Sequence, residues 1–385
     1  MTAEASKKIL VVFGTRPEAI KMAPVIKALE NEPDRFRVIT CVTGQHREML
    51  DEMLRIFELR PHIDLRLMQH QQSLADLTAR AMRQVSDVFA RTTPDFTLVQ
   101  GDTTTAMTTA MASFYARIPV GHIEAGLRTS DRFNPFPEEI NRRIIGTVAD
   151  LHFAPTPSAA RALLAEGVSP SDVFVTGNTV IDALHMAIAR APLGSHRRFS
   201  DRERYILVTA HRRESFGEPI RRICEALRRI AARHPDVGII YPVHPNPEIR
   251  TPVRELLQHV DGVQLLEPLG YVDFVECLRG AHLVVTDSGG VQEEAPALGK
   301  PVLVVRETTE RPEAVEAGVA RVVGTQVGGI VEAVDELLTM PEVHGRMARA
   351  SNPFGDGQAS ARIARALEGR LFGDRFDGRV AEACA

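Results

Sequence analysis

No run in this 385-residue sequence approaches the ~20 consecutive apolar residues of a membrane span, and nothing before Arg16 is long and apolar enough for a signal segment. A membrane protein is not expected; a soluble, cytoplasmic one is. Cysteine is scarce. Cys41, Cys224, Cys277 and Cys384 lie far apart with no C-x-x-C pair, so neither a disulfide framework nor a zinc site is supported, and the four read as reduced, mostly buried thiols. A strong charge of either sign is also missing. The formal net charge of −4 gives no reason to expect nucleic acid or a membrane surface as the partner, although local cations can still serve a small anionic ligand. Finally, no G-x-G-x-x-G follows the first apolar stretch, which argues against a nicotinamide site.

What is present is ordinary for a soluble globular chain: 44% hydrophobic and 25% charged residues. The length exceeds the roughly 250–300 residues at which one hydrophobic core stops growing, so two domains are expected. Short apolar runs alternate with helical patterns. Strands are predicted at 8–14, 37–42, 96–100, 120–123, 151–155 and 173–177, and the pattern restarts at 205–210, 238–242, 263–266, 283–286 and 301–306. This alternation predicts an α/β protein with doubly wound parallel sheets. The polar, arginine-rich run Ser195–Arg204 is the best linker candidate.

In open α/β sheets ligands bind beyond the carboxyl ends of the strands, so the residues just after each strand carry the functional question. Arg16 and Lys21 flank a predicted helix start after the first strand, with Pro17 suited to the first helical position. They suit an anionic ligand, or else lie on a solvated helix face. Asp102 and Glu124 each follow a strand directly and should converge on one sheet edge, although either alone could be a helix cap. Glu138 with Arg142, and Glu139 with Arg143, have the i,i+4 spacing of surface ion pairs. Phe133, Phe136, Pro135 and Pro137 argue against a freely solvated loop ahead of them. In the second half, His211-Arg212-Arg213 follows a strand at the position that Gly14–Arg16 hold in the first.

The turn Asp287-Ser288-Gly289-Gly290 leads from an apolar strand into a helix that contains Glu293 and Glu294. Its glycines allow close backbone approach, and the helix start offers unpaired N–H groups, a ready phosphate site. The alternative is that Ser288 merely caps the helix and the acids complement its dipole.

The segments FGTRPEAIKMAPV, GQHREML, GDTTT, HIEAGLRT, PFPEEINR, GNTVIDAL, TAHRRESFG, YPVHPNP, TDSGGVQEEAPALGKPVLV, TTERPE and NPFGDGQA, from Phe13 to about Ala359, together resemble the non-hydrolysing UDP-N-acetylglucosamine 2-epimerases. The resemblance implies a GT-B architecture, two Rossmann-like domains with an active-site cleft between them. The domains would comprise residues 1–182 and 183–357, with a C-terminal helix at about 358–378 crossing back onto the first. It further implies an isomerase that interconverts UDP-GlcNAc and UDP-ManNAc without cofactor or metal, through elimination of UDP to 2-acetamidoglucal and re-addition, and that works as a homodimer.

By that resemblance Asp102, Glu124 and Glu138 are catalytic carboxylates, with base and acid unassigned, and His211 is the active-site histidine near the leaving diphosphate. Arg16 and Lys21 are cations of the substrate site, while Ser288, Gly289, Gly290, Glu294, Arg311 and Phe274 hold UDP. Leu269 stands where some members have glutamine. Gln45, His46, Arg212 and His244 resemble a neighbouring site at which UDP-GlcNAc activates some members; Gln71 replaces an arginine found there, so weak activation is expected. The competing readings are a GT-B glycosyltransferase, a hydrolysing epimerase releasing ManNAc, and a non-catalytic nucleotide-sugar sensor. The C2 acid/base set weighs against the first and third.

Overall fold

The computed structural model describes residues 5–44, 47–68, 72–129, 131–190 and 199–373. Gln45, His46, Gln71 and Cys384 lie outside them, as do Ser195–Arg198 of the linker candidate and the end of the C-terminal crossing. The chain divides into two compact units, Met1–Met186 with Phe354–Ala385, and Ala187–Pro353.

The first unit holds a parallel seven-stranded sheet of β1 (Lys7–Phe13), β2 (Phe36–Val42), β3 (Ile63–Asp64), β4 (Phe96–Gln100), β5 (Val120–Ile123), β6 (Leu151–Ala154) and β7 (Val173–Val175). Their order is β3-β2-β1-β4-β5-β6-β7. Helices cover both faces of such a sheet, which is why Ile9-Leu10-Val11-Val12-Phe13 is one continuous buried apolar run. The order reverses direction at β1/β4. Val11 lies opposite Leu98, two residues before each strand ends, so the loops starting at Gly14 and Gly101 emerge side by side. Gln100 pairs with Ile123, which sets Gly101 next to Glu124.

The second unit repeats the plan with β8 (Arg204–Thr209), β9 (Val237–Pro242), β10 (Val263–Leu266), β11 (Leu283–Thr286), β12 (Val302–Val304) and β13 (Ala320–Val322), ordered β10-β9-β8-β11-β12-β13. This is the same order as the first six strands of the other sheet, with its switch at β8/β11. Thr209 lies opposite Thr286, so His211 and Asp287 emerge as neighbours. The edge strands β3 and β13 are additions to the expected set. At two and three residues they are too short to show an apolar period.

The C-terminal helix Ala359–Phe372 belongs to the first unit, where it packs on the helix Arg16–Glu30. Buried Asp182 caps its start, accepting from the Ser360 N–H at 2.8 Å and the Ala359 N–H at 3.2 Å. Cys41, Cys224 and Cys277 are buried free thiols. No helix among the described residues is long and apolar enough to cross a membrane.

Candidate functional site

In the first unit the site begins with a clamp. Thr15 caps the helix Arg16–Glu30, and Glu18 closes the capping box. Glu18 Oε2 accepts the N–H groups of Gly14 (3.0 Å) and Thr15 (2.8 Å), while Oε1 accepts the Thr103 hydroxyl (2.6 Å). One buried carboxylate thus ties the loop after β1 to the loop after β4. Burial pushes its carboxyl above the usual range, opposed by those hydrogen bonds. Gly14 is needed for this approach, since a Cβ there would sit 2.0 Å from Thr43 Oγ1.

Lys21, on the next helical turn, places Nζ 2.5 Å from Glu124 Oε1. The Asn178 amide donates to the same oxygen at 3.1 Å, and the Gln100 amide donates to Oε2. Glu124 has φ +64°, a region that non-glycine residues rarely adopt. Three donors converge on this acid.

Asp102 is held differently. Its Oδ2 lies 2.5 Å from Arg142 Nη2, and Asn141 donates to its backbone carbonyl at 2.9 Å. Burial raises its pKa, Arg142 works in the opposite direction, and the charges of Glu124 and Glu138 raise it further. His122 supports the preceding residue, its Nε2–H donating to the Gly101 carbonyl at 2.7 Å. The two carboxylates therefore sit in one neighbourhood with unlike partners, Glu124 under three donors and Asp102 raised by burial against a single arginine.

Glu138 opens the helix Glu138–Val148 and is half-buried, close enough to Asp102 for their charges to interact. Its expected surface pairing with Arg142 gives way to a stronger demand: Arg142 turns to Asp102 and to buried Glu139 (3.5 Å). The Glu139–Arg143 pair does form, at 2.8 Å. Arg16, at the first helical position, is half-buried and has no ion-pair partner among the described residues. The loop ahead of Glu138 corrects another expectation. Phe133 and Phe136 are exposed, 66% and 61%; their rings meet each other (centroids 6.5 Å apart) and Arg132 stacks over Phe133.

In the second unit the anchor is Asp287, fully buried. Its Oδ2 accepts the N–H groups of His211 (2.7 Å) and Arg212 (2.8 Å) and the Ser215 hydroxyl (2.8 Å). Ser288 opens the helix Gly289–Ala297 without a side-chain cap, which removes the plain capping reading and leaves the helix start available to an anion. Arg212 and Arg311 lie beside Gly289, their Nη2 atoms 3.4 and 3.8 Å from where its Cβ would be. Gly290 has open space at that position. Buried Glu293 aims Arg311 at 2.5 Å, and Glu294 is buried with the Tyr271 hydroxyl 3.4 Å from Oε1. The His211 ring stacks on His244 (centroids 5.5 Å apart). Phe274 and Leu269 are partly exposed around the start of the helix Tyr271–Gly280.

The first unit thus gathers Arg16, Lys21, Asp102, Glu124 and Glu138 at its switch point, and the second gathers His211, Arg212, Ser288, Gly289 and Arg311 at its own. Sequence reasoning missed Glu18, Gln100, Arg142, Asn178, Asp287 and Glu293 as supports. Only Glu18 left a local signal, the T-x-x-E capping box. Among the described residues no cluster of three or more His, Cys, Asp or Glu could hold a metal ion.

A family model described as UDP-N-acetylglucosamine 2-epimerase matches residues 27–368. The chain is 51% identical over 370 residues to the UDP-N-acetylglucosamine 2-epimerase of Yersinia pestis, covering 94% of this chain and 98% of that one. Its structure is similar to that of UDP-GlcNAc 2-epimerase from Neisseria meningitidis bound to UDP-GlcNAc, with TM-score 0.85, 45% identity and coverage of 94% and 99%. It is also similar to the Methanocaldococcus jannaschii enzyme in complex with UDP-GlcNAc and UDP, with TM-score 0.75, 34% identity and the same coverage. The paired doubly wound domains expected of a GT-B fold agree with these likenesses. By sequence and by structure alike, over nearly its whole length, the chain belongs to the UDP-N-acetylglucosamine 2-epimerase family.

Proposed function

We propose that this protein interconverts UDP-GlcNAc and UDP-ManNAc in the cytoplasm, as a homodimer, supplying ManNAc for cell-surface polysaccharide. The observation that carries this is the carboxylate pair at the first switch point, with Glu124 held by Lys21, Gln100 and Asn178, and Asp102 pushed toward its protonated form. The proton at sugar C2 is not acidified by a carbonyl. Elimination of UDP with loss of that proton, then re-addition with protonation from the other face, asks for a base and an acid that titrate apart. Glu138 adds a third carboxylate to the set.

The second unit supplies the grip. The uncapped start of the helix Gly289–Ala297 and the cations Arg311 and Arg212 suit a diphosphate, whose charge rises as the C1–O bond breaks. His211 stands next to them. Glu294 would take the ribose hydroxyls and Phe274 lie beside the uracil. Of the neighbouring activating site, Arg212 and His244 belong to the loops after β8 and β9.

The test is proton NMR of UDP-GlcNAc incubated with the protein in D₂O without an acceptor. Deuterium at C2 in a pool that comes to contain UDP-ManNAc is expected. Free ManNAc would indicate a hydrolysing enzyme, and an unchanged sugar would sink the proposal. Asp102→Asn and Glu124→Gln should each lose about 10²-fold or more in exchange rate, the usual worth of a positioned acid or base.

A further inference from the structure

Asp287 presents an unusual imbalance. Its side chain is fully buried, and Oδ2 takes three hydrogen bonds, from His211 N, Arg212 N and the Ser215 hydroxyl. Oδ1 is equally buried and has no hydrogen-bond partner among the described residues. An ionised carboxylate oxygen left without a donor in a protein interior costs free energy, so such a group needs a reason. The nearest candidate donor is the His211 ring, whose Nδ1 stands 3.7 Å from Oδ1. That is beyond hydrogen-bond length; the His211 side chain is 38% exposed, so packing does not enclose the ring on every side, and a small rotation would close the gap.

We propose that Asp287 is the positioning residue for His211, its vacant Oδ1 taking the Nδ1–H of the ring and so presenting Nε2 to the leaving diphosphate. The same three Oδ2 bonds that fix the loop fix the direction of Oδ1, so the ring's orientation is set by the end of β11. The logic is that of a carboxylate that selects one imidazole tautomer and supports the imidazolium. Other groups facing the ring oppose its positive charge. Burial is the largest influence lowering the His211 pKa, Asp287 raises it, and His244 and Arg212 lower it. Among the described residues, Asp287 is therefore the neighbour that favours a protonated ring. The ring donates to the diphosphate only as the imidazolium: neutral at Nε2 in the free protein, it takes up a proton there with the anionic ligand and keeps both protons while the electron pair of the breaking C1–O bond goes to the phosphate oxygen. This rests on the placing of His211 beside the diphosphate.

The test uses the full-length protein, isotopically labelled in its histidine rings and free of substrate, with His211→Asn identifying the signal. In the wild type, long-range ¹⁵N correlations should show the neutral ring as the Nδ1–H tautomer; the Nε2–H tautomer would overturn the pairing whatever any variant does. Asp287→Asn keeps the acceptor for the loop N–H groups and removes the charge. It should lower the His211 titration midpoint by about one unit or more, while Ser215→Ala, which loosens the loop alone, should leave it in place. An unmoved midpoint in folded Asp287→Asn would reduce Asp287 to a loop cap. In turnover, Asp287→Asn should cost about 10²-fold in kcat with KM changed far less. A shifted midpoint with unchanged kcat would refute the placing of His211 at the leaving group, not the pairing itself.

Discussion

At the scale of single residues, the candidate site is a set of carboxylates made unlike by their partners. Glu124 receives a lysine and two amides, whereas Asp102 relies on one arginine against burial and two like charges. Removing that arginine should expose the difference. In Arg142→Met, Asp102 keeps its burial and its acidic neighbours but loses the cation, so its pKa rises further. The limb of the pH profile of kcat/KM that reports Asp102 should move to higher pH; an unmoved limb would assign it to another group. The placing of Asp102 and Glu124 was legible in the sequence because acids just after two strands of one parallel sheet share its carboxyl edge. Arg142 and Asn178 were not. Arg142 meets Asp102 from 40 residues away, and Lys21 meets Glu124 across 103, so no local spacing could announce either contact. Arg142 also had a nearer candidate in Glu138, which the fold passed over.

At the scale of elements, the decisive pieces are the loops after β1 and β4, bound together by Glu18. Glu18→Ala leaves the Gly14 and Thr15 N–H groups and the Thr103 hydroxyl without their acceptor. It should cost about 1–3 kcal/mol or more of stability, read as a lower urea midpoint. A second element-level consequence comes from β5 and β6, where His122 and His152 are cross-strand partners. Burial lowers their pKa values to about 3 and about 4, against 6.5. Unfolded chains bind these protons below pH 6.5 and the folded protein does not, so stability falls as pH drops from 6.5 toward 4. Each group contributes up to about 1.4 kcal/mol per pH unit in that window and nothing above it. His152→Gln should flatten the decline in urea midpoint between pH 7 and pH 4.5; an equally steep decline would show that other groups dominate. The long buried strands were readable from their apolar runs. The short edges β3 and β13 were not, and the Phe133–Phe136 loop misled because its two rings meet each other at the surface and do not enter a core.

At the scale of the whole molecule, two sheets with one strand order each place polar residues at the reversal of that order. The strand-helix alternation made the parallel sheets of both halves visible in advance, but not their strand order or the place where it reverses. It could not show which oxygen would accept which donor, since that depends on register between strands far apart in the chain. In the proposed reaction proton transfer belongs to the first unit and leaving-group stabilisation to the second, and this division requires that the sugar–oxygen bond breaks. Its most direct measurement is positional isotope exchange with UDP-GlcNAc carrying ¹⁸O in the bridge between C1 and the β-phosphorus. The account predicts that this label appears in the non-bridging β-phosphate positions while C2 takes up deuterium from D₂O. Deuterium at C2 with the label fixed in the bridge would contradict it.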